Sequence, residues 1–214
     1  MKLNGLGLPD LRLMTRHTSR SFLREGRNVL SLEAELPEVN GASPMNAYYR
    51  RLFRQLAGFC DRELIPALPK EQPPLRLHLD YRVTLLTPEL LSLSLELHRQ
   101  EVRPIPAARF AAVWSRSSGV PLPLRAFFPN PLGTRRKLRE WLREEALGRL
   151  RSGYCLYDPE QAERAGKLFS PRNFYAAEKG LVLFFPPLTL GSAAEGIPEF
   201  CLPWDEAGPC MPHN

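Results

Sequence analysis

The sequence is poor in the residues that redox, metal and nucleophilic chemistry most often use. Of its 214 residues, four are cysteine and four are histidine. Cys60, Cys155, Cys201 and Cys210 form no C-x-x-C pair, and no histidine flanks them at zinc-ligand spacing, which excludes the common structural zinc motifs. There is no G-x-S-x-G elbow, no H-E-x-x-H helix, no P-loop and no dinucleotide fingerprint. No apolar run reaches the ~20 residues that a membrane-spanning helix needs. The N-terminal stretch MKLNGLGLPDLRLMTRH lacks both a continuous apolar core and a small-residue cleavage site, so a cytoplasmic location is expected. No solenoid, collagen-like or coiled-coil period is present.

Proline and positive charge are what the chain has in excess. Its 22 prolines are about twice the usual share and cut it into short elements with stiff loops. The net charge is +6 and the pI ≈ 9.4. Most of the cations are arginines scattered among glutamates, the pattern of a solvated, salt-bridged surface rather than a nucleic-acid groove. A polyanion or an acidic partner stays open.

The apolar pattern supports an α+β unit, with antiparallel sheet and two main amphipathic helices packed on one face. Residues 1–27 read as a leader segment in which Leu11 and Leu13 hint at a short strand. Val29 to Leu36 alternates through Leu30, Leu32, Ala34 and Leu36, a strand with one buried face. Ser43 or Asn46 then caps a long helix from Met45 to Ile65, with Pro44 in its first turn. Ala47-Tyr48, Leu52, Leu56, Phe59-Cys60 and Leu64 form its apolar stripe, which makes Cys60 a small core residue, and Pro66 and Pro69 stop it. Leu75 to Leu86 and Leu91 to Leu97 make a hairpin about the turn Thr87-Pro88-Glu89. Its leucine-rich face suits the helix, while Ser92, Ser94, Glu96 and His98 point the other way. His78, Asp80 and Arg82 share that polar phase. They form a tempting metal or acid/base group that an exposed sheet face produces routinely.

Farther on, Arg109 to Ser115 and Val120 to Leu124 extend the sheet. Thr134 caps a second helix, Arg135 to Leu150, whose stripe is Leu138, Trp141-Leu142, Ala146 and Leu150. Its arginines alternate with Glu140, Glu144 and Glu145 as surface pairs. Asp158 to Leu168 allows a short third helix. Asn173 to Ala176 pairs with Leu181 to Phe185 about Glu178-Lys179-Gly180. The flanking prolines confine Ile197 to Leu202 to a sheet edge. Gly208 to Asn214 should fray. Cys201 and Cys210 could bridge in an oxidising compartment, and free thiols are the preferred reading.

Three motifs of the closing stretch are Phe174-Tyr175 followed by Gly180-Leu181-Val182, Phe184-Phe185 running into proline, and Gly196-Ile197-Pro198-Glu199-Phe200 ending in Leu202-Pro203. With Tyr81 to Thr84, Leu91 to Leu97 and Gly119 to Phe128, this pattern resembles the C-terminal domain of RsiV-type anti-sigma factors. That domain, with its associated N-terminal α/β half, also occurs beside PdaC-type deacetylases. The resemblance covers roughly Asn28 to Asp205 and places a 28–207 unit, with sub-lobes 28–74 and 75–207 as a finer division, before a 208–214 tail. It implies a non-catalytic domain like the lysozyme-sensing region of that family, with a protein or cell-wall glycan as partner and an extracellular setting as its consequence. From the charge pattern and the missing motifs, no nucleic acid, no cofactor, no metal and no catalytic residue is expected. Where relatives carry a glycine-rich, histidine-bearing segment, this chain has Arg103, Pro104, Ile105 and Pro106, which we take as the expected partner-binding edge. The alternative reading is a cytoplasmic hydrolase-like enzyme that uses Cys155 or the His78/His98 face.

Overall fold

The computed structural model describes residues 12–40, 43–100, 105–129, 133–205 and 208–212, although not the side chains of Ile105 and Pro106. The fold is mixed α+β, with a six-stranded sheet in the order β1-β2-β3-β4-β5-β6 and a three-stranded sheet in the order β7-β8-β9. The strands are β1 (Leu13–Arg24), β2 (Arg27–Val39), β3 (Leu75–Leu86), β4 (Leu90–Arg99), β5 (Ile105–Ser115), β6 (Pro121–Leu122), β7 (Phe174–Ala177), β8 (Gly180–Phe184) and β9 (Glu199–Pro203). The helices are α1 (Pro44–Phe59), α2 (Thr134–Ser152), α3 (Pro159–Glu163) and α4 (Ala165–Leu168). Contacts divide the chain into two compact units. One holds residues up to Arg82 with Leu95–Ala107 and Ser117–Val120. The other holds Val83–Ser94, Ala108–Arg116 and everything from Pro121.

In the first unit, β1 and β2 form a long hairpin through Glu25 and Gly26, both at positive φ (53° and 77°). This is the primed turn whose twist matches paired strands. β1 is a correction to the sequence reading, in which these residues are a leader with at most a short strand. Its side chains are mostly exposed, so no buried face imposes the alternation by which strands are found. β2 meets β3 in parallel, with Leu30 opposite Leu75 and Ala34 opposite Leu79. The sheet is therefore not wholly antiparallel. A parallel pair needs a crossover, and α1 is that crossover.

The core of this unit is the alternating face of β2, Leu30, Leu32, Ala34 and Leu36, with Leu77 and Leu79 of β3. α1 supplies Met45, Tyr49, Leu56, Ala57 and Cys60 to the buried set. Ala47 is exposed and so, by half its surface, is Phe59 (53%), with Tyr48 at 38%. The stripe thus sits about one position round from the expected one, because Tyr49 rather than Tyr48 points inward. Ser43 caps the helix, its Oγ accepting from Met45 N at 3.2 Å. Asn46 clamps β2 instead: its amide donates to Val39 O (2.8 Å) and accepts from Val39 N (2.9 Å).

Pro66 does not stop this helix. After Phe59 the backbone widens into a π-type turn, Cys60–Leu64, in which Ile65 N donates to Cys60 O, and one further turn, Ile65–Ala67, follows. The wider turn carries the chain past a residue that has no N–H to offer. At the end, Ile65 O accepts from Leu68 N (3.2 Å) and also from the Arg24 guanidinium, which donates to Leu68 O (3.1 Å) as well. A cation at a helix C-terminus is favoured by both the hydrogen bonds and the dipole. Arg24→Ala should therefore lower stability by about 1–2 kcal/mol, read as a shifted denaturation midpoint at unchanged slope.

In the second unit, α2 starts at Thr134 behind Gly133, which has φ 78° and provides no side-chain cap, so Thr134 is the first helical residue and not the cap. Leu138, Leu142 and Ala146 are buried as the stripe requires, and Trp141 and Leu150 pack on the same cluster. That cluster joins Phe127, Phe174, Leu181, Leu183, Phe185, Leu190 and Phe200. The third helix splits at Arg164 into α3, capped by Asp158 Oδ1 accepting from Gln161 N (2.9 Å), and α4. β9 is a sheet edge, as its prolines require. Gly180 is the first residue of β8 rather than part of the turn, and a Cβ there would lie 2.1 Å from Leu202 O. The glycine is needed for close approach of β9. Of the tail expected to fray, the described part is pinned at Pro209 and Cys210: Cys210 N donates to Phe127 O (2.8 Å) and Pro209 is buried. All four cysteines are free thiols. Among the described residues, no helix is long and apolar enough to cross a membrane.

β4 corrects the expected polar face. From Leu90 to Leu95 every side chain is buried, including Ser92 (0%) and Ser94 (1%). Ser92 Oγ accepts from Thr84 Oγ1 (2.8 Å) and from Ala176 N (2.9 Å), whereas Ser94 Oγ has no hydrogen-bond partner. A buried donor deprived of its acceptor loses about 1–3 kcal/mol. Ser92→Ala should cost roughly that much and Ser94→Ala close to nothing, a contrast that equilibrium unfolding of the two variants would measure.

Candidate functional site

Of the expected partner-binding edge, Arg103 and Pro104 lie outside the described residues. Ile105 and Pro106 begin β5.

The histidine face is assembled as the alternation requires. Gln100 N donates to Arg76 O (2.9 Å) and Thr84 Oγ1 reaches Ser92 Oγ, a register that sets His78 opposite His98 and Asp80 opposite Glu96. His98 Nε2 lies 3.5 Å from Glu96 and 3.6 Å from Asp80, and His78 Nδ1 lies 4.0 Å from Glu33. Arg82 stands 4.0 Å from Glu96. These are spacings of loose ion pairs, and no group of three or more His, Cys, Asp or Glu among the described residues is arranged to hold a metal.

Cys155 belongs to a better-formed site. The loop after α2, Gly153 to Tyr157, runs past the turn before β9 and borders an open cavity of about 420 Å³. It is lined by Arg149, Tyr154, Cys155, Tyr157, Glu195, Ile197, Pro198 and Glu199. Gly153 ends the helix at φ 72°, with Tyr154 N donating to Arg149 O (3.2 Å), and turns the chain outward. Tyr157 is then caught by a bridge to Gly191, and Glu195 accepts from Leu156 N. The consequence is a loop whose backbone is tied down while Tyr154 (89%) and Leu156 (73%) remain exposed.

In the same lining, Arg149 is fixed on two sides. Its Nη1 donates to Glu199 O (2.7 Å), and its guanidinium lies 4.1 Å over the Phe200 ring. Glu199 carries its carboxylate to the other side of β9, where Arg109 and Tyr175 OH (3.0 Å) donate to it. Arg109 in turn lies over the rings of Phe184 (5.4 Å) and Tyr175 (5.8 Å). Neutralising partners and ring faces let these guanidinium groups sit in apolar surroundings. Among the described residues, the lining includes no histidine. The sequence marked Cys155 as a thiol of interest. It offered no signal for Arg149, which looks there like one more arginine of a solvated helix.

Burial pushes the Tyr157 phenol above its ordinary value of 10.0, with Arg149 opposing the shift. A folded-state value that is raised means full stability below about pH 10 and loss as pH rises through the folded value, since the unfolded chain ionises first. Tyr157→Phe should flatten the decline of stability above pH ~10 relative to the unmodified chain, as chemical unfolding at several alkaline pH values would record.

Residues 135–205 match the model of a family described as a protein of unknown function, DUF3298. The matched segment holds α2, the cavity and all of β7, β8 and β9, and is shorter than the span over which the sequence resemblance was drawn. The fold is shared with a DUF3298 family protein from Pseudomonas aeruginosa PAO1, at TM-score 0.60 and 13% identity over 92% of this chain and 93% of that one. It is also similar to a DUF3298 family member from Bacteroides fragilis, at TM-score 0.54 and 13% identity, with 92% of each chain covered. No curated protein matches the sequence.

Proposed function

We propose that this protein is a non-catalytic binding domain of the kind found in RsiV-type proteins, and that it engages a protein or cell-wall glycan through the cavity behind Tyr154. The observation that carries this reading is the pairing of a tethered loop with two large exposed side chains. Tyr154 lines the cavity together with Cys155, Tyr157 and Arg149, and Leu156 stands exposed next to them in the loop. An exposed ring beside polar groups suits either partner. A tyrosine supplies apolar contact at small entropic cost and a hydroxyl that hydrogen-bonds, and fixed guanidinium and carboxylate groups orient what it holds. The hydrolase alternative draws on the position of Cys155 in the same cavity. A nucleophile needs a base and an orienting group, and the binding reading asks for neither.

Thermal melting with lysozyme and with soluble wall-glycan fragments tests the proposal. One of the two ligands should raise the melting temperature, Tyr154→Ala/Leu156→Ala should abolish the rise while melting alone as the parent does, and Cys155→Ala should leave it intact. If neither ligand moves the transition, this reading fails.

A further inference from the structure

The long strand β1 is an edge of the six-stranded sheet among the described residues. It runs twelve residues without a proline, and its side chains are mostly exposed. An edge of that length offers a row of unpaired N–H and C=O groups to any extended chain. Natural edges are commonly guarded by charges that project into solvent. On β1, however, the charges are sorted by face. The residues opposite buried Leu36, Ala34, Leu32 and Leu30 of β2, namely Arg16, Thr18, Arg20 and Phe22, lie on the α1 side, and Thr15, His17, Ser19 and Ser21 lie on the other.

On the α1 side the cations converge. Arg16 and Thr18 of β1, Leu36 of β2 and Arg50, Phe53 and Arg54 of α1 line a hollow of about 370 Å³. Glu38 is shared between Arg16 (3.3 Å) and Arg50 (3.8 Å), which sets one carboxylate against three guanidinium groups. The opposite face is balanced, with His17 3.9 Å from Glu35.

We propose that β1 is a docking edge for an extended acidic segment of a partner protein, which adds to the sheet as a further strand. Side chains of an added strand alternate between the two faces. Every second residue would therefore face the α1 side and should be Asp or Glu, with those beside Arg16 and Thr18 reaching the hollow, while the intervening residues need only be small and polar. Main-chain bonds supply affinity in this mode and the alternate pockets supply specificity. A second copy of this chain is a poor occupant, because it would bring arginines against arginines. The site is separate from the cavity at Tyr154 and stands or falls independently of it.

The probe is a labelled peptide of about eight residues with alternating Thr and Glu, titrated by fluorescence anisotropy against the full chain. Three comparators are used: a block-order peptide of the same composition, and two versions N-methylated on either alternate set of amides. Saturable binding is expected, roughly tenfold weaker for the block peptide and for the R54E chain, whose melting should be unchanged. One N-methylated series should lose binding and the other keep it, because only one set of amides faces β1. Equal binding by both series, or by the block peptide, would make the hollow a nonspecific polyanion site and overturn the proposal. No saturation below about 1 mM, or self-association through β1, would overturn it as well.

Discussion

A strand buried on both faces has nowhere to hide a polar group, and β4 is such a strand from Leu90 to Leu95. The second unit is arranged to meet that constraint. Ser92 cannot be solvated, so it accepts one hydrogen bond from Thr84 and another from Ala176 N, and the second of these bonds fixes β7. β7 sets the register of β8, Phe174 opposite Leu183 and Ala176 opposite Leu181, and β8 sets that of β9. The side chains that matter at the cavity, Glu199 on β9 and Arg149 against Phe200, inherit their positions from this series. Ser94, with no such partner, marks where the same burial goes uncompensated.

The arginines show how one residue type serves unlike purposes according to what surrounds it. Arg24 closes the end of α1, donating to carbonyls that follow the π-type turn. Arg109 and Arg149 lie on ring faces and bond to Glu199. Arg136 and Arg143 are surface partners of Glu140 (3.8 Å) and Glu163 (2.7 Å), worth little to stability singly. Lysine could stand in for the last group but not for the others, since a planar guanidinium both stacks and donates along two directions. The preference for arginine is thus a requirement of the fold at several positions, and the net charge by itself says nothing about nucleic acid.

Where alternation has a buried face behind it, the sequence was legible: β2, β3, β8 and the stripe of α2 stand where their leucines and phenylalanines place them. β1 escaped because exposed side chains leave no period to find. The polar phase of β4 was misread for the opposite reason, since Ser92 and Ser94 look solvated until a second layer covers them. Pro66 and Pro69 read together as the stop, and the helix does end before Pro69; it passes Pro66 because a π-type turn, which nothing local announces, precedes it. Thr134 looked like a cap, but Gly133 supplies the backbone conformation that begins α2. In each case the misreading falls where tertiary packing overrides a local rule.

The candidate site follows the same division. Cys155 was visible as a thiol, yet its chemistry depends on neighbours distant in sequence: Arg149 from the last turn of α2, Glu195 from the turn before β9, and Glu199 from β9 itself. Only the closing of β9 onto β8 brings them together, and that closing requires Gly180, where any side chain would meet the carbonyl of Leu202. A glycine that reads in the sequence as a turn residue is therefore a condition for the cavity. The residues that gather there, Arg149, Glu195, Glu199 and Tyr157 beside the exposed Tyr154, come from four separate stretches of the chain that this one glycine allows to close together.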